Sequence, residues 1–469
     1  MLRSANPLVG HPRGLWVLAA TELWDRISFH GMQAILTLYL ASSLLLPGHV
    51  DYVVAFGPFR RAIESLTGPL TVQALATQTF GIYIALVYAT PIMGGAIGDR
   101  LLSRRLTVTL GALMMTLGHF SLAFDASFLF GMLFLALGAG LLRGNLTPQV
   151  KALYQAGDRR LSDAFQIYAL AVNIGAFIAP LVTGALAAIY GWHVGFAFAG
   201  FGMLIGLVVY LVGQRHLADE PRAPRAERVP LTPDERARVG WLFALWPLLV
   251  CFWIAQSQVW NTYNLWVRDH INLDVDGFAV PVPWLQSLDG LMPALTVPII
   301  LALWRRQAVR GSEPALLVKL GMGALLFGAS ILILVVASHP SGSTARAPLM
   351  LPIAFHIASN LGWIYFAPVA TTLIQTRAPA STRGTMTGVN LLSVTAGSLI
   401  SGRLGALYDH VAASGFWLIH AAIVRGAGVI LLLVARPLGK RLPECLDNCV
   451  DYPSSRPLSE AERPLAAST

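Results

Sequence analysis

Charge is what this sequence has least of. Asp, Glu, Lys and Arg make up 12% of its 469 residues, against 55% hydrophobic side chains. Soluble domains carry about 25% charged residues, so composition excludes an ordinary water-soluble fold. A mean hydropathy of +0.62 agrees. Cysteine is scarce as well: the 3 present rule out a disulfide framework for a chain this long. Cys251 lies in an apolar run and reads as buried packing. Cys445 and Cys449 stand one helical turn apart in the polar C-terminal stretch; a metal site there needs further ligands, so they read as reduced cytosolic thiols. No Gly-rich phosphate-cradling loop is present, which removes ATP hydrolysis as a power source. Nor is there a nucleophile with base and orienting partner, or a metal-ligand cluster, so neither an enzyme nor a bound cofactor is expected. The N-terminus lacks a compact apolar core followed by a small-residue cleavage site, so no removable signal peptide is expected. The net charge of +9 raises the question of nucleic acid. Its arginines sit in short loops between apolar runs, where they set topology instead.

What is abundant is long apolar runs, each able to cross the ~30 Å of a bilayer core. They fall near 14–46, 72–97, 105–124, 128–150, 163–189, 193–213, 240–267, 284–304, 315–337, 347–376, 385–408 and 414–435. About twelve helices follow. One set of loops holds Arg100, Arg104, Arg105, Lys151, Arg159, Arg160, Arg305, Arg306, Arg310, Arg377 and Arg383. The alternate set holds only Arg60, Arg61, Arg268 and Arg346. Positive loops stay inside, so both termini are expected in the cytoplasm of a multi-pass protein of the cell membrane. The polar segment Gln214–Val239 divides the chain into a six-helix unit over 1–213 and another over 240–436. Such a layout predicts an all-α membrane protein, two six-helix bundles around a central cavity. Pro47–Thr71 reads as an outer loop, and 437–469 as a disordered cytoplasmic tail.

The first span contains Glu22-Leu23-Trp24-Asp25-Arg26-Ile27-Ser28-Phe29-His30-Gly31. At about 100° per residue, Asp25, Arg26, Phe29, His30 and Gln33 all lie within about 80° of Glu22 on a helical wheel. Each charge facing mid-bilayer lipid would cost about 2.5–3.5 kcal/mol, so this face must line a bundle interior or a wet cavity. Arg143, following Gly138-Ala139-Gly140, sits deep in the fourth span and is a second buried cation. Asp289 lies in the eighth span without an adjacent base and is a second proton-site candidate. His119, His356 and Arg425 stand alone and read as structural. The charged face has two readings: a static salt-bridge knot, or a set of groups that exchange partners as protons arrive. Intramembrane ionisable groups favour the second. Tyr168 and Asn173 either bond neighbouring helices or face the same space, and His30 is either a cavity-wall imidazole or a titrating one.

The string Gly94-Gly95-Ala96-Ile97-Gly98-Asp99-Arg100-Leu101-Leu102-Ser103-Arg104-Arg105 resembles the loop between the second and third helices of the major facilitator superfamily. Its small residues allow close helix approach, and its Asp/Arg cluster can act as a breakable gating latch. Read with residues 22–31, the chain is similar to the proton-dependent oligopeptide transporter family, whose first helix carries Glu-x-x-Glu-Arg-Phe-x-x-Tyr-Gly. Further similarities are Tyr83, Tyr88-Ala89-Thr90-Pro91, Gly140-Leu141-Leu142-Arg143-Gly144-Asn145, Asp158-Arg159-Arg160, and Phe165 to Ala176 with Tyr168 and Asn173. In the second half Trp284-Leu285-Gln286-Ser287-Leu288 and Phe366-Ala367-Pro368 resemble the family in place and spacing.

The resemblance implies the twelve-helix major facilitator fold and proton-coupled uptake of di- or tripeptides or peptide-like carboxylates by alternating access. Glu22, Asp25 and Arg26 would handle the proton, with Asp289, read from its place in the eighth span and not from the resemblance, as the second proton-coupling candidate. Arg26, His30, Gln33, Tyr83, Arg143, Tyr168, Asn173 and Trp363 would bind substrate, with Gly94, Gly95, Asp99, Arg100 and Arg104 as the gating motif. The chain departs from the family at Asp25, His30, Gln33 and Arg143, where Glu, Tyr, Arg and Lys are usual. The family's tenth-helix glutamate, which holds a peptide's ammonium, falls on Trp363. A small organic anion or N-blocked peptide is therefore the alternative cargo, and a non-transporting membrane sensor the alternative class. The implied energy source is the proton gradient: one proton moving through about 100 mV gains about 2.3 kcal/mol, near fiftyfold in concentration. The implied partners are a small-molecule substrate, protons and the lipid bilayer, with the protein a monomer and no nucleic acid.

Overall fold

The computed structural model describes residues 10–155, 157–158, 160–218, 230–339 and 346–442. Twelve helices of 18 residues or more run through them. In the first half these are α1 (Arg13–Tyr39), α3 (Val72–Arg100), α4 (Arg104–Ser121), α5 (Phe128–Ala152), α6 (Arg160–Tyr190) and α7 (Trp192–Gly213), with a short α2 (Phe56–Thr67). The second half contains α8 (Pro233–Gln258), a short α9 (Thr262–His270), α10 (Leu288–Val309), α11 (Leu316–Ala337), α12 (Met350–Arg377), α13 (Arg383–Gly405) and α14 (Ala413–Arg441). A two-strand hairpin, Asp274–Val275 with Phe278–Ala279, follows α9. Among the described residues, 9 of the long helices are apolar enough to cross a membrane by length and composition. The remaining three are α1, α4 and α13. α1 carries Glu22, Asp25 and Arg26 and is buried almost throughout, only Arg13 and Trp16 at its start being exposed.

Helices group within each half as burial of their apolar faces requires. α1 lies between α6 and α7, α5 packs on α3 and α4, and α4 also meets α7. Opposite them α11 packs on α12 and α14, while α8 meets α13 and α14. The halves meet along α3 with α13 and α6 with α10. Gly81 makes the first seam possible: a Cβ there would stand 2.6 Å from the Ser398 carbonyl oxygen and 2.8 Å from Gly402 Cα. Small residues of this kind let helix backbones close up where lipid gives no hydrophobic drive.

The hydrogen bonds between the halves gather at the end away from the Arg-rich loops. Asn261 donates to Thr77 O at 3.1 Å, Asn264 to Ala34 O at 3.2 Å and Trp284 Nε1 to Leu181 O at 2.9 Å. Arg403 donates to Thr67 O at 2.9 Å, and Thr71 bonds Asp409.

Four expectations need correction. The segment Pro47–Thr71 is not simply a loop: Phe56, Phe59 and Ile63 form one apolar face of α2, and Arg60 pairs with Glu64 at 2.9 Å. The stretch Gln214–Val239 ends inside α8, because Thr232 and Glu235 form a reciprocal N-terminal cap with Pro233 at the first turn. The seventh span breaks between Gln258 and Thr262, and the eighth begins as a 3-10 turn over Val282–Ser287. Finally, α14 continues through Pro437 to Arg441. Cys445 and Cys449, the rest of the expected tail and residues 219–229 lie outside the described residues.

Candidate functional site

The charges of α1 are met by two neighbouring helices. Arg26 Nε donates to Glu22 Oε1 at 2.7 Å, one turn back on α1, and the Tyr168 hydroxyl on α6 donates to Glu22 Oε2. Asp25 turns toward α5, where Arg143 Nε donates to Oδ2 at 3.0 Å and Nη2 to Oδ1 at 3.3 Å. The two pairs touch, since Arg26 Nε lies 3.7 Å from Asp25 Oδ2. The Arg143 guanidinium carbon also sits 4.1 Å from the Phe29 ring centroid, a cation–π contact. Two carboxylates thus face two guanidiniums, a neutral set that a low-dielectric interior tolerates.

Exposure separates the members. The side chain of Asp25 is fully buried and that of Glu22 is 2% exposed, whereas Arg143 reaches 10% and Arg26 19%. The carboxylates are therefore shielded behind guanidiniums that an approaching solute meets first. Neutralising either carboxylate would remove the charge that pairs its arginine.

Beyond this set, toward the end away from the Arg-rich loops, His30 is wedged between Phe29 and Trp260, the latter from the other half at 5.3 Å between ring centroids. His30 Nδ1 and the buried Gln33 Oε1 have no hydrogen-bond partner among the described residues. Tyr83, buried on α3, lies within the electrostatic reach of Arg143 and Asp25. Asn173 is half-buried on α6, and the close approach of Gly175 beside it brings α6 against α1. Trp363 is not joined to the ion pairs by any described contact; it packs beside Ile300, Ile364 and Tyr365.

The gating string divides into two parts. Its glycines are packing: a Cβ on Gly94 would lie 2.0 Å from Gly140 O, and Gly95 approaches Gly144 on the same α5 face. Asn145 Nδ2 donates to Gly94 O at 2.8 Å, tying α5 to α3. Asp99 and Arg104 pair across the α3–α4 turn at 2.8 Å, and Arg100 is exposed.

Sequence reasoning passed over two contributors. Phe29 was visible on the charged face but its ring gave no sign of the cation it would carry. His356 read as a singleton, yet its Nδ1 lies 2.7 Å from Asp289 Oδ1, so Asp289 does have an adjacent base. The two are 67 residues apart in sequence, and no local pattern links them. Among the described residues no His, Cys, Asp or Glu cluster could hold a metal ion.

Two opposed helical halves, the first holding a buried, charge-balanced and partly accessible set, define a multi-pass membrane protein of the major facilitator type. The family model described as the POT family matches residues 105–229 and 230–421. The chain belongs to the POT family. A di-/tripeptide transporter of Lactococcus lactis subsp. cremoris is 28% identical over 93% of this chain and 98% of its own length. The peptide transporter YePEPT of Yersinia enterocolitica is 25% identical over 91% and 94%. A crystal structure of a peptide transporter POT in complex with sulfate superposes with a TM-score of 0.82 at 26% identity, covering 93% of this chain and 96% of the other.

Proposed function

We propose that the protein is a proton-coupled symporter that carries di- and tripeptides or related carboxylates by alternating access in the cell membrane. Its task is transport, not catalysis. The observation that carries the proposal is the pairing of buried Glu22 and Asp25 with the more exposed Arg26 and Arg143. In the resting arrangement each carboxylate neutralises an arginine. A proton on Asp25 or Glu22 releases that arginine to hold the substrate carboxylate, and loss of the proton on the other side returns the arginine to its partner. The half-to-half bonds at the end away from the Arg-rich loops fit a state open toward those loops, which positive-inside reasoning assigns to the cytoplasm. In this reading α1, α4 and α13 span the bilayer with the nine more apolar helices, and the chain acts as a monomer.

Purified protein in liposomes tests this with trialanine and an imposed inward proton gradient. Uptake above the equilibrium level is expected, and Asp25→Asn is expected to abolish it. Full gradient-driven uptake by Asp25→Asn would overturn the assignment.

A second cargo reading has its own observation. The stretch Met350–Arg377 contains no Asp or Glu, and Trp363 packs against apolar neighbours. The helix α12 therefore supplies no carboxylate for a peptide ammonium, which suits an N-blocked peptide or a small organic anion. Competition between dialanine and N-acetyl-dialanine separates the two: stronger competition by the acetylated form selects the second.

A further inference from the structure

The ion pairs of α1 leave the second half without a titrating group in the mechanism, yet that half contains a buried acid–base pair of its own. Asp289 stands in the first turn of α10 and His356 in the second turn of α12. Their contact, Nδ1 to Oδ1 at 2.7 Å, bridges the two helices. The imidazole is fully buried and the carboxyl side chain 22% exposed. His356 Nε2 is buried and has no hydrogen-bond partner among the described residues. Aromatic rings wall the imidazole: Phe355 beside it, and Tyr263 of α9 edge-on at 5.2 Å.

The surroundings contribute little other charge. Tyr263 is the titratable group described in contact with the pair, and it also interacts electrostatically with Asp289. The segment Val282–Ser287 brings none, and α6 brings none between Tyr168 and Tyr190. With neutral imidazole and ionised carboxyl the pair is a single buried negative charge. One proton makes it neutral, either as acid beside imidazole or as carboxylate beside imidazolium.

Position makes that proton sensitive to the transport cycle. Gly290, the next residue after Asp289, packs directly on α6: a Cβ there would stand 2.4 Å from Phe177 N and 2.7 Å from Ala176 C. Asp289 therefore stands one residue from the seam between the halves. Parting the seam opens a route for water to the pair; closing it shuts that route.

We propose that Asp289 and His356 form a second proton-binding site, loaded when the α6–α10 seam opens, cut off from that side when it closes, and emptied toward the Arg-rich loops once the opposite side opens. The inference rests on the proton-coupled reading of the protein and adds a proton to it, separate from that on Glu22 or Asp25. Asp289 holds the proton with His356; an ordinary interhelical hydrogen bond would hold the helices together without taking one up.

Two readouts on the full chain test it. In the first, proteoliposomes accumulate trialanine under a pH gradient of one unit. Each proton moved through such a gradient contributes about a factor of ten to accumulation, so Asp289→Asn should lower the ratio about tenfold while still exchanging trialanine in counterflow. Asp289→Glu should restore it. In the second, protons taken up by purified, substrate-free protein between neutral and acidic pH are counted. An Asp289→Asn/His356→Gln double variant should bind about one proton fewer per chain. An unchanged accumulation ratio together with an unchanged proton count overturns the inference. If the wild type does not carry trialanine, the cargo proposal fails and the proton count alone decides this one. Should the double variant not fold, Asp289→Asn takes both readouts in its place.

Discussion

Gly175 packs against Arg26 at its root on α1: a Cβ at that glycine would stand 2.6 Å from Arg26 Cβ and 2.9 Å from Leu23 O. The Asn173–Gly175 stretch of α6 therefore sets how near α1 lies, and hence whether Tyr168 reaches Glu22. Gly175→Val should force the helices apart. Overpacking of a tight contact costs about 1–3 kcal/mol, so a lower melting temperature of the purified protein and loss of uptake are expected. An unchanged melting temperature and uptake would show that α6 can shift without consequence.

Arg143 should not be replaceable by lysine. It engages Asp25 through two nitrogens of one planar fork, which an ammonium does not reproduce, and lies over Phe29. Hydrogen bonds to charged groups contribute about 1.5–3 kcal/mol, so Arg143→Lys should weaken substrate affinity by tenfold or more. A binding titration of Arg143→Lys against the wild type checks it.

Asp99 and Arg104 should matter to rate more than to stability. The Asp99 side chain is 52% exposed, and an exposed pair contributes about 1 kcal/mol or less. Asp99→Asn is therefore expected to leave the melting temperature nearly unchanged. If the pair acts as a latch, maximal uptake falls while the apparent KM stays near the wild-type value.

The end of α2 should loosen in acid. Glu64 accepts from Leu70 N at 3.0 Å and Arg60 Nε at 2.9 Å, and these bonds hold its carboxyl below the usual glutamate range. With the folded value depressed, the stabilisation is present above the unfolded value and lost as pH falls through the folded one. Hydrogen-exchange protection of the Leu70 amide should drop across that window. In Glu64→Ala it should be low at every pH.

Legibility in the sequence followed the range of the interaction. The long helices were readable because an apolar run needs no partner to declare itself, and the α1 face because its charges recur at helical spacing. Thr232-Pro233-Asp234-Glu235 was equally local, and its capping pattern places the start of α8 inside what composition alone suggested was a linker. α2 was missed because Gly57 and Pro58 sit in its first turn and a helix of 12 residues has only a narrow apolar stripe. Contacts made at a distance left no trace. Neither Arg143 over Phe29 nor His356 against Asp289 can be read from neighbours in the chain, because each depends on where two helices cross.

The seam between the halves is written largely in side-chain amides and an indole donating to main-chain oxygens: Asn261 to Thr77, Asn264 to Ala34, Trp284 to Leu181. A carbonyl oxygen has two lone pairs, and its own helix occupies only one. When such a joint lets go, every acceptor keeps its internal partner, and just a few donors are left for incoming water to satisfy. At these three bonds the molecule can part again and again without stranding a backbone group, which is what a surface that must separate on each turnover requires.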